Sequence, residues 1–178
     1  MAYKLIASNR EQLSPWVSLS QRTYQIDGVA EPQTYHFLCP QDYIGILPIT
    51  ADGRIVLVRQ FRPAVELETL ELPGGLLEAG ETPLDRALLE LTEETGFSSP
   101  DGAVALPPMF PDAGRLENVL HGFVARDLHP PASSWRHESG VEPVLLTREE
   151  LLEAVKSGGI GSAAHVAIVG LALLIGLL

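Results

Sequence analysis

One stretch of this sequence constrains the fold more than any other, because it marks both ends of a single helix. Thr82 is a suitable N-cap, and Pro83 suits the first helical position. Asp85 stands three residues after the cap, as in a capping box. Gly96 is placed for a left-handed stop at the other end. We therefore expect a helix that begins at about residue 83 and ends just before Gly96.

This helix carries carboxylates along one side. Glu90 and Glu94 are one turn apart, and Glu93 lies beside them. Like charges this close are unfavourable unless a cation neutralises them, and hard oxygen ligands suit Mg²⁺ or Mn²⁺. Leu91 and Thr95 lie on another face, which we expect to pack inward. The pattern predicts metal-assisted chemistry on a phosphorylated substrate.

Length and charge narrow the class of partner. With 178 residues the chain is long enough for one domain with a substantial core. Its net charge of −11 disfavours stable binding to DNA or RNA polymers, because phosphate backbones repel an acidic surface. A small nucleotide remains compatible, since a divalent metal ion bridges carboxylates to phosphate. We therefore expect a small-molecule substrate and no nucleic-acid polymer.

Cysteine usage and the first residues indicate the compartment. Cys39 is the only cysteine, which excludes an internal disulfide framework and fits a reducing cytoplasm. It has no identifiable base partner, so we expect a buried, small apolar residue. Residues 1–10 lack a long apolar core and are typical of a mature chain rather than of a signal peptide. The expected location is cytoplasmic.

The end of the sequence is almost wholly apolar, over the 13 residues from Val166 to Leu178. A helix that spans a bilayer needs about 20 such residues. We expect a terminal helix that is buried in the core or in a dimer contact, and no membrane association. A membrane anchor is the alternative.

The remaining sequence alternates strand and helix patterns. Residues 43–49 and 54–59 are apolar runs around Asp52-Gly53, which predicts a hairpin. Further strands are expected at residues 16–20, 34–38, 119–125 and 144–146, and Thr147 is expected to cap a helix over residues 148–156. This order predicts a mixed α/β (α+β) domain whose sheet is flanked by helices.

The central stretch resembles a known family motif, the Nudix box. In that motif a glycine, a glutamate and a closing run of glutamates and glycine stand at fixed spacings. The matching residues here are Gly75, Glu81, Glu90, Leu91, Glu93, Glu94 and Gly96, with Phe97 as the final apolar residue. The resemblance implies a Nudix-type mixed sheet flanked by helices.

One position departs from the family pattern. The motif has an arginine at position 89 that braces the catalytic glutamates, and this chain has Leu89. Arg86 lies four residues before Glu90 on a neighbouring helical stripe, so we hypothesise that it substitutes in part for the missing arginine. The alternative is that Arg86 is a solvated helix residue.

Flanking motifs resemble the ADP-ribose and nucleoside-diphosphate-sugar branch of the family. The similarity begins at about Tyr43 and includes residues 58–62, residues 71–75 and the loop at residues 114–117; Pro111 is close to the position of the proline in ADP-ribose pyrophosphatases. In this branch the preceding residues usually build a small β subdomain that contributes to a homodimer. The resemblance thus implies an N-terminal β-rich subdomain over residues 1–42, with dimerisation and substrate contact as its roles, and a Nudix hydrolase domain over residues 43–178.

The resemblance also implies roles for individual residues. The metal ligands are Glu90, Glu93, Glu94 and the backbone carbonyl of Gly74. The general base is Glu138, with Glu142 as the alternative, although either is also explained as a solvated loop charge. The remaining substrate contacts are Arg59, Arg62, Glu71, Arg115 and Glu117. Between the two strand-end arginines, one is expected to be structural.

The expected reaction is Mg²⁺- or Mn²⁺-dependent hydrolysis of ADP-ribose to AMP and ribose 5-phosphate. Alternatives are another sugar nucleotide, such as GDP-mannose, or a degenerate Nudix fold that binds a nucleotide as a sensor. Trp16, Tyr24 and Tyr35 either stack on a nucleobase or belong to the core. His121 and His165 lack the spacing of a zinc site and are expected to be structural.

Overall fold

The structure, a computed structural model, describes all 178 residues and divides into two compact units. Unit 1 contains residues 1–42 and 110–119, and unit 2 contains residues 43–109 and 120–178. The elements in chain order are β1 (Tyr3–Ser14), β2 (Val17–Ile26), β3 (Gln33–Pro40), β4 (Tyr43–Thr50), β5 (Ile55–Arg62), β6 (Leu67–Glu71), β7 (Gly74–Leu76), α1 (Pro83–Thr95), β8 (Val104–Ala105), β9 (Leu120–Leu128), β10 (Val141–Leu146), α2 (Arg148–Lys156) and α3 (Ala163–Leu174).

Unit 1 is built on an antiparallel sheet in the order β1-β2-β3. Its second segment, residues 110–119, runs along β3. The Leu38 amide donates to the Arg115 carbonyl at 2.9 Å, and the Glu117 amide donates to the Leu38 carbonyl at 2.9 Å. These two bonds extend the sheet by a short parallel bridge, so a loop distant in sequence belongs to this unit.

Side chains of unit 1 are largely exposed. Tyr24 makes edge-to-face contacts with Tyr3 and Tyr35, with ring centroids 6.2 and 6.1 Å apart. Tyr35 is 45% exposed and Trp16 is 62% exposed, so neither belongs to the core. Cys39 is half-buried rather than buried. Within unit 1 the expected burial of Cys39 is therefore incomplete, and the core alternative does not apply to Trp16 or Tyr35.

Unit 2 contains a seven-stranded mixed sheet. Its main path is β10-β5-β4-β9-β8; β4 and β9 are parallel, and the other pairs are antiparallel. The predicted hairpin is present, but β4 and β5 pair only at Ile49 and Ile55. Beyond that point β6 pairs with β5 and β7 pairs with β4. The segment that connects β6 to β7 is thereby brought into the middle of the sheet.

The sheet has an apolar core on each face, because successive strand residues point to opposite sides. Ile44 and Ile46 of β4 face α1, whereas Leu47 and Ile49 belong to the core that contains α2 and α3. Burying such a side chain contributes about 2 kcal/mol. The two cores therefore hold helices on both faces, which confirms the predicted α+β class of a mixed sheet flanked by helices.

The helix ends follow the predictions, except that Asp85 of α1 accepts from the Thr82 hydroxyl at 2.7 Å and does not complete a capping box with the Thr82 amide. Thr82 accepts a hydrogen bond from the Asp85 amide, and Gly96 closes α1 at a φ of 73°. At α2, Thr147 and Glu150 form a reciprocal capping box. A Cβ atom on Gly96 would lie 2.5 Å from the ring of Trp135, so the end of α1 admits no side chain for a second reason. Trp135 thus packs directly over the C-terminal end of α1.

Most of the apolar tail lies in α3, which covers the sheet face opposite α1. Ile168, Val169 and Ala172 are buried in the core there. No helix has the length and apolar character that a membrane span requires. The expectation of a terminal helix packed in the core describes this segment.

Candidate active site

Helix α1 places its three glutamates in two different environments. Glu90 and Glu94 are each 7% exposed, because they face the sheet. Glu93 is exposed and lies at the neighbouring cleft. Two carboxylates are therefore shielded from solvent, while the third remains in contact with it.

The glycine backbone of β7 fixes the two buried carboxylates. The Gly74 amide donates to Oε2 of Glu94 at 3.0 Å. At Gly75 the backbone approaches Glu90 so closely that an added Cβ atom would lie 2.1 Å from Oε1. Only glycine therefore leaves room for the Glu90 carboxylate in this position.

Burial disfavours the charged form of both carboxylates, and their few hydrogen-bond partners do not offset that cost. It raises the pKa of Glu94 to about 7, although the hydrogen bond from Gly74 opposes the shift. Burial likewise raises the pKa of Glu90, against the attraction of Arg86. Acids with raised pKa values in a cleft are typical of functional sites. Burying an incompletely paired carboxylate costs stability, so a purely structural core usually contains apolar side chains at such positions.

Arg86 lies where the sequence predicts a substitute for the missing motif arginine. Its Nη2 is 2.5 Å from Oε1 of Glu90, and its Nη1 is 3.7 Å from Oε1 of Glu81. Leu89 is 42% exposed and makes no part of this contact. Of the two readings of Arg86, the structure favours the one in which it contacts the motif glutamates over a purely solvated residue.

A cleft of about 720 Å³ opens beside α1 and contains Glu138. Its lining residues are Arg86, Glu90, Thr92, Glu93, Trp135, Arg136 and Glu138. Glu142, the alternative base, lies on β10 instead and pairs with Arg59 at 3.3 Å, beside a different cavity. The structure thus brings Glu138, and not Glu142, together with the α1 carboxylates.

Arg62 and Glu71 form a two-bonded ion pair at the ends of β5 and β6. Nε and Nη2 of Arg62 donate to the Glu71 carboxylate at 2.8 and 2.6 Å, and Thr69 donates at 2.6 Å. Glu71 is 4% exposed. Its burial opposes ionisation, but these donors prevail and hold its pKa below the usual range. Nη1 of Arg62 is not used in the pair.

The other two expected substrate contacts belong to unit 1. Arg115 pairs with Asp112 at 2.7 Å, and its side chain is 84% exposed. Glu117 accepts from both Arg10 and Arg22. Hydrogen bonding to Cys39, followed by these arginines, holds the pKa of Glu117 low. Within unit 1, Glu117 therefore acts as the centre of an ion-pair cluster.

A buried histidine behind the carboxylates is not indicated by the sequence patterns. His165 of α3 is 1% exposed and contacts Tyr43, Glu71 and Leu72. These partners are 93 to 122 residues away along the chain, so no local spacing marks the contact. Only its place as a polar residue immediately before the apolar run from Val166 distinguishes the position.

The residues of the site fit a divalent cation by their chemistry. No three carboxylate, imidazole or thiol side chains stand close enough to enclose an ion by themselves. Mg²⁺ does not need such a cage, since it is commonly held by one or two carboxylates together with water and substrate phosphate. Glu90 and Glu94, with raised pKa values and oxygen donors only, match that requirement.

Comparison with known proteins gives a consistent picture. A NUDIX domain model matches residues 40–162. An ADP-ribose pyrophosphatase of Bacillus subtilis is 32% identical over 116 residues, which is 64% of this chain and 62% of the relative. A methanol dehydrogenase activator of Bacillus methanolicus is 32% identical over the same shares of the two chains. An ADP-sugar pyrophosphatase of Mus musculus is 29% identical over 66% of this chain and 59% of the relative.

The matched region spans about 62% of the length of the two Bacillus relatives. A solved structure described as an ADP compounds hydrolase superposes with a TM-score of 0.82 over 100% of this chain and 98% of that chain, at 18% identity. At 18% identity the superposition supports the fold alone. Membership of a family is shown by the domain model that matches residues 40–162.

Proposed function

The chain belongs to the Nudix family, and from that premise we propose that it hydrolyses the pyrophosphate bond of a nucleoside diphosphate linked to a sugar. ADP-ribose is the first candidate, with AMP and ribose 5-phosphate as products. The observation that carries the proposal is the pair of buried carboxylates, Glu90 and Glu94, set against the β7 glycines, with Glu90 at the edge of a cleft. Relatives named for ADP-ribose and ADP-sugars support this substrate class.

Glu90 and Glu94 are the proposed ligands of Mg²⁺ or Mn²⁺, assisted by Glu93 and by the carbonyl of Gly74. When bound, such an ion neutralises pyrophosphate charge, activates water and stabilises the leaving phosphate. The chain's own contribution is to hold two carboxylates in fixed positions before substrate arrives. The Gly74 amide and the close approach of Gly75 support that role.

Glu138 is the proposed general base. It lies in the same cleft as Glu93 and near enough to Glu90 to raise the pKa of that carboxyl. Its place on an exposed loop permits it to approach a water molecule after substrate has bound. Glu142 is the weaker alternative, because Arg59 already neutralises it.

Arg62 is the proposed phosphate contact, and Glu71 is its positioning partner. Two donors of the guanidinium are fixed by Glu71, which leaves Nη1 to bind a phosphate oxygen in a defined direction. Arg59 is the arginine that we assign to a structural ion pair. Arg115 and Glu117 remain proposed substrate contacts.

Other properties follow the same family likeness. We assign a homodimer, since Leu5, Ile6, Leu13 and Trp16 of unit 1 are all at least half exposed. The single cysteine is compatible with the cytoplasm. Hydrolysis of a different sugar nucleotide, such as GDP-mannose, is the alternative reaction. A nucleotide sensor without turnover is the alternative from another class, and Leu89 is the residue that favours it.

One assay distinguishes these readings. Release of AMP or GMP is measured from a panel that contains ADP-ribose, other ADP-sugars and GDP-mannose, with Mg²⁺, with Mn²⁺ and with excess EDTA. We expect metal-dependent turnover that is fastest with ADP-ribose. Faster turnover of GDP-mannose would replace the substrate, and calorimetric binding without turnover of any compound would establish the sensor. Light scattering on the same sample tests the dimer.

A further inference from the structure

The C-terminal helix contributes a single polar side chain to the space behind the carboxylates. His165 lies in the first turn of α3, and its imidazole is almost completely buried. The ring stacks on Tyr43 with centroids 5.9 Å apart and planes 22° apart. Both ring nitrogens have partners, as a buried imidazole requires.

Hydrogen-bond chemistry fixes the protonation of this ring. The Leu72 amide can only donate, and it points at Nδ1 at 3.3 Å, so Nδ1 carries no proton. The proton is therefore on Nε2, which donates to the Tyr43 hydroxyl at 3.1 Å. Burial lowers the pKa of His165 to about 4, which agrees with a neutral ring at physiological pH.

The two hydrogen-bond partners of His165, Tyr43 and Leu72, belong to the two segments that position the glycines of β7. Tyr43 is the first residue of β4, and β4 pairs with β7 through Gly45 and Gly74. Leu72 is two residues before Gly74 in the segment that joins β6 to β7. The imidazole therefore joins the strand that supports the glycines to the segment that leads into them.

The residues that follow Leu72 contact both β4 and a carboxylate of α1. After Leu72, the Pro73 carbonyl accepts from the Ile46 amide at 3.0 Å, and the Gly74 amide donates to Glu94 at 3.0 Å. A change in the direction of the Leu72 amide shifts the next peptides along the chain. Because packed interiors transmit small displacements, that shift reaches the bond from Gly74 to Glu94.

We propose that His165 is a positioning residue for the metal-facing carboxylates, acting through the Leu72 amide on the backbone of residues 73–75. The inference rests on the proposed function of Glu90 and Glu94. It gives α3 a part in the site without a contact to substrate. Partners that orient ligands typically affect metal affinity or activity by about 10- to 100-fold.

The experiment compares His165→Leu with His165→Asn in the full chain. Leucine fills a similar volume but accepts no hydrogen bond, whereas the asparagine Oδ1 stands near the position of Nδ1 and accepts from Leu72. Binding of Mn²⁺ is measured by the paramagnetic resonance signal of the free ion. We expect the dissociation constant to rise about tenfold in His165→Leu and to stay within about threefold of wild type in His165→Asn.

Activity and stability provide the second readout. In His165→Leu we expect kcat for ADP-ribose to fall about tenfold, with KM changed less than about threefold. Val169→Ala is the matched control, because it removes buried volume from the same helix and core while leaving the hydrogen bond between Leu72 and His165 in place. It should lower Tm while leaving Mn²⁺ affinity and kcat unchanged. An equal loss of affinity in Val169→Ala would make the effect one of general packing and would overturn the proposal.

The remaining outcomes are also decisive. Unchanged Mn²⁺ affinity in a folded His165→Leu protein contradicts the proposal. If that variant does not fold, His165→Asn is compared with His165→Gln, whose longer amide reaches towards Tyr43 instead of Leu72; tighter binding in the asparagine variant is required. If wild type turns over no nucleotide sugar, the proposed function fails, and the Mn²⁺ comparison still decides the role of His165.

Discussion

Helices α1 and α3 cover opposite faces of one sheet, and each carries polar side chains into a buried environment. In α1 these are two carboxylates, and each has a single hydrogen-bond donor. Glu94 accepts from the Gly74 amide, and Glu90 accepts from Arg86. In α3 the buried group is one neutral ring with a partner at each nitrogen. Burial alone therefore does not identify a reactive site; incomplete compensation of buried charge beside a cleft does.

The largest effect that tests this difference is expected at Glu94. In Glu94→Gln the amide oxygen can still accept from Gly74, but the charge is lost. Metal-dependent turnover should fall at least about hundredfold, which corresponds to about 3 kcal/mol of activation free energy. The measurement is kcat for ADP-ribose across a Mg²⁺ titration.

Glu149→Gln is the control for that variant, because Glu149 is an exposed acid in the first turn of α2. It should leave kcat and the Mg²⁺ dependence unchanged. Full activity of Glu94→Gln would show that the charge of Glu94 is not needed for the reaction. The buried carboxylate of α1 would then differ from the buried imidazole of α3 in charge but not in function.

A smaller effect, on stability, is expected from His165. Its pKa is about 4 in the folded chain and near 6.5 in the unfolded chain, so the unfolded chain binds the proton more readily. This contribution to stability is complete above about pH 6.5 and is lost as the pH falls towards 4. The loss approaches about 1.4 kcal/mol per pH unit, or about 2 kcal/mol between pH 6.5 and 5.

Glu90 and Glu94 have raised pKa values and titrate with the opposite effect, so a single pH profile mixes these groups. The free energy of unfolding is therefore measured by urea titration for wild type and for His165→Asn, and the difference is plotted against pH. Val169→Ala, which removes no titratable group, should change the free energy of unfolding by an amount that does not vary with pH. A difference between wild type and His165→Asn that does not vary with pH would show that His165 is not held neutral by the fold.

The smallest effect is expected at Arg86. Arg86→Ala removes the cation that contacts Glu90, and we expect kcat to fall about tenfold, or about 1.4 kcal/mol. Leu89 is exposed enough to accept an arginine, so Arg86→Ala/Leu89→Arg should recover most of that loss. Undiminished activity of Arg86→Ala would show that the arginine is dispensable to the carboxylates of α1.

The same contrast explains how much the sequence could predict. Both ends of α1 and the contact between Arg86 and Glu90 depend on neighbours within four residues, and local spacing indicates them. The strand β1 is different, because residues 3–14 are almost entirely exposed and show no alternation of apolar and polar residues. These residues form a strand because they pair with β2, and no local pattern in the sequence indicates that pairing.

The contacts of His165 and of Glu138 also depend on distant segments. Family resemblance alone predicts the role of Glu138 near the carboxylates, because its own loop contains no pattern that specifies a neighbour. His165 reaches partners in β4 and in the segment before β7, and its role follows only from their packing. Local chemistry predicts the elements, whereas tertiary packing decides which polar groups meet.

Trp135 packs over Gly96 and lines the cleft on the same loop as Glu138. The chain has only one other tryptophan, the exposed Trp16. A Trp16→Phe protein therefore has a single tryptophan, Trp135, which lines the cleft and can be excited selectively over the tyrosines. Its emission maximum and quenching by iodide give an optical record of how this loop responds when metal or nucleotide is added.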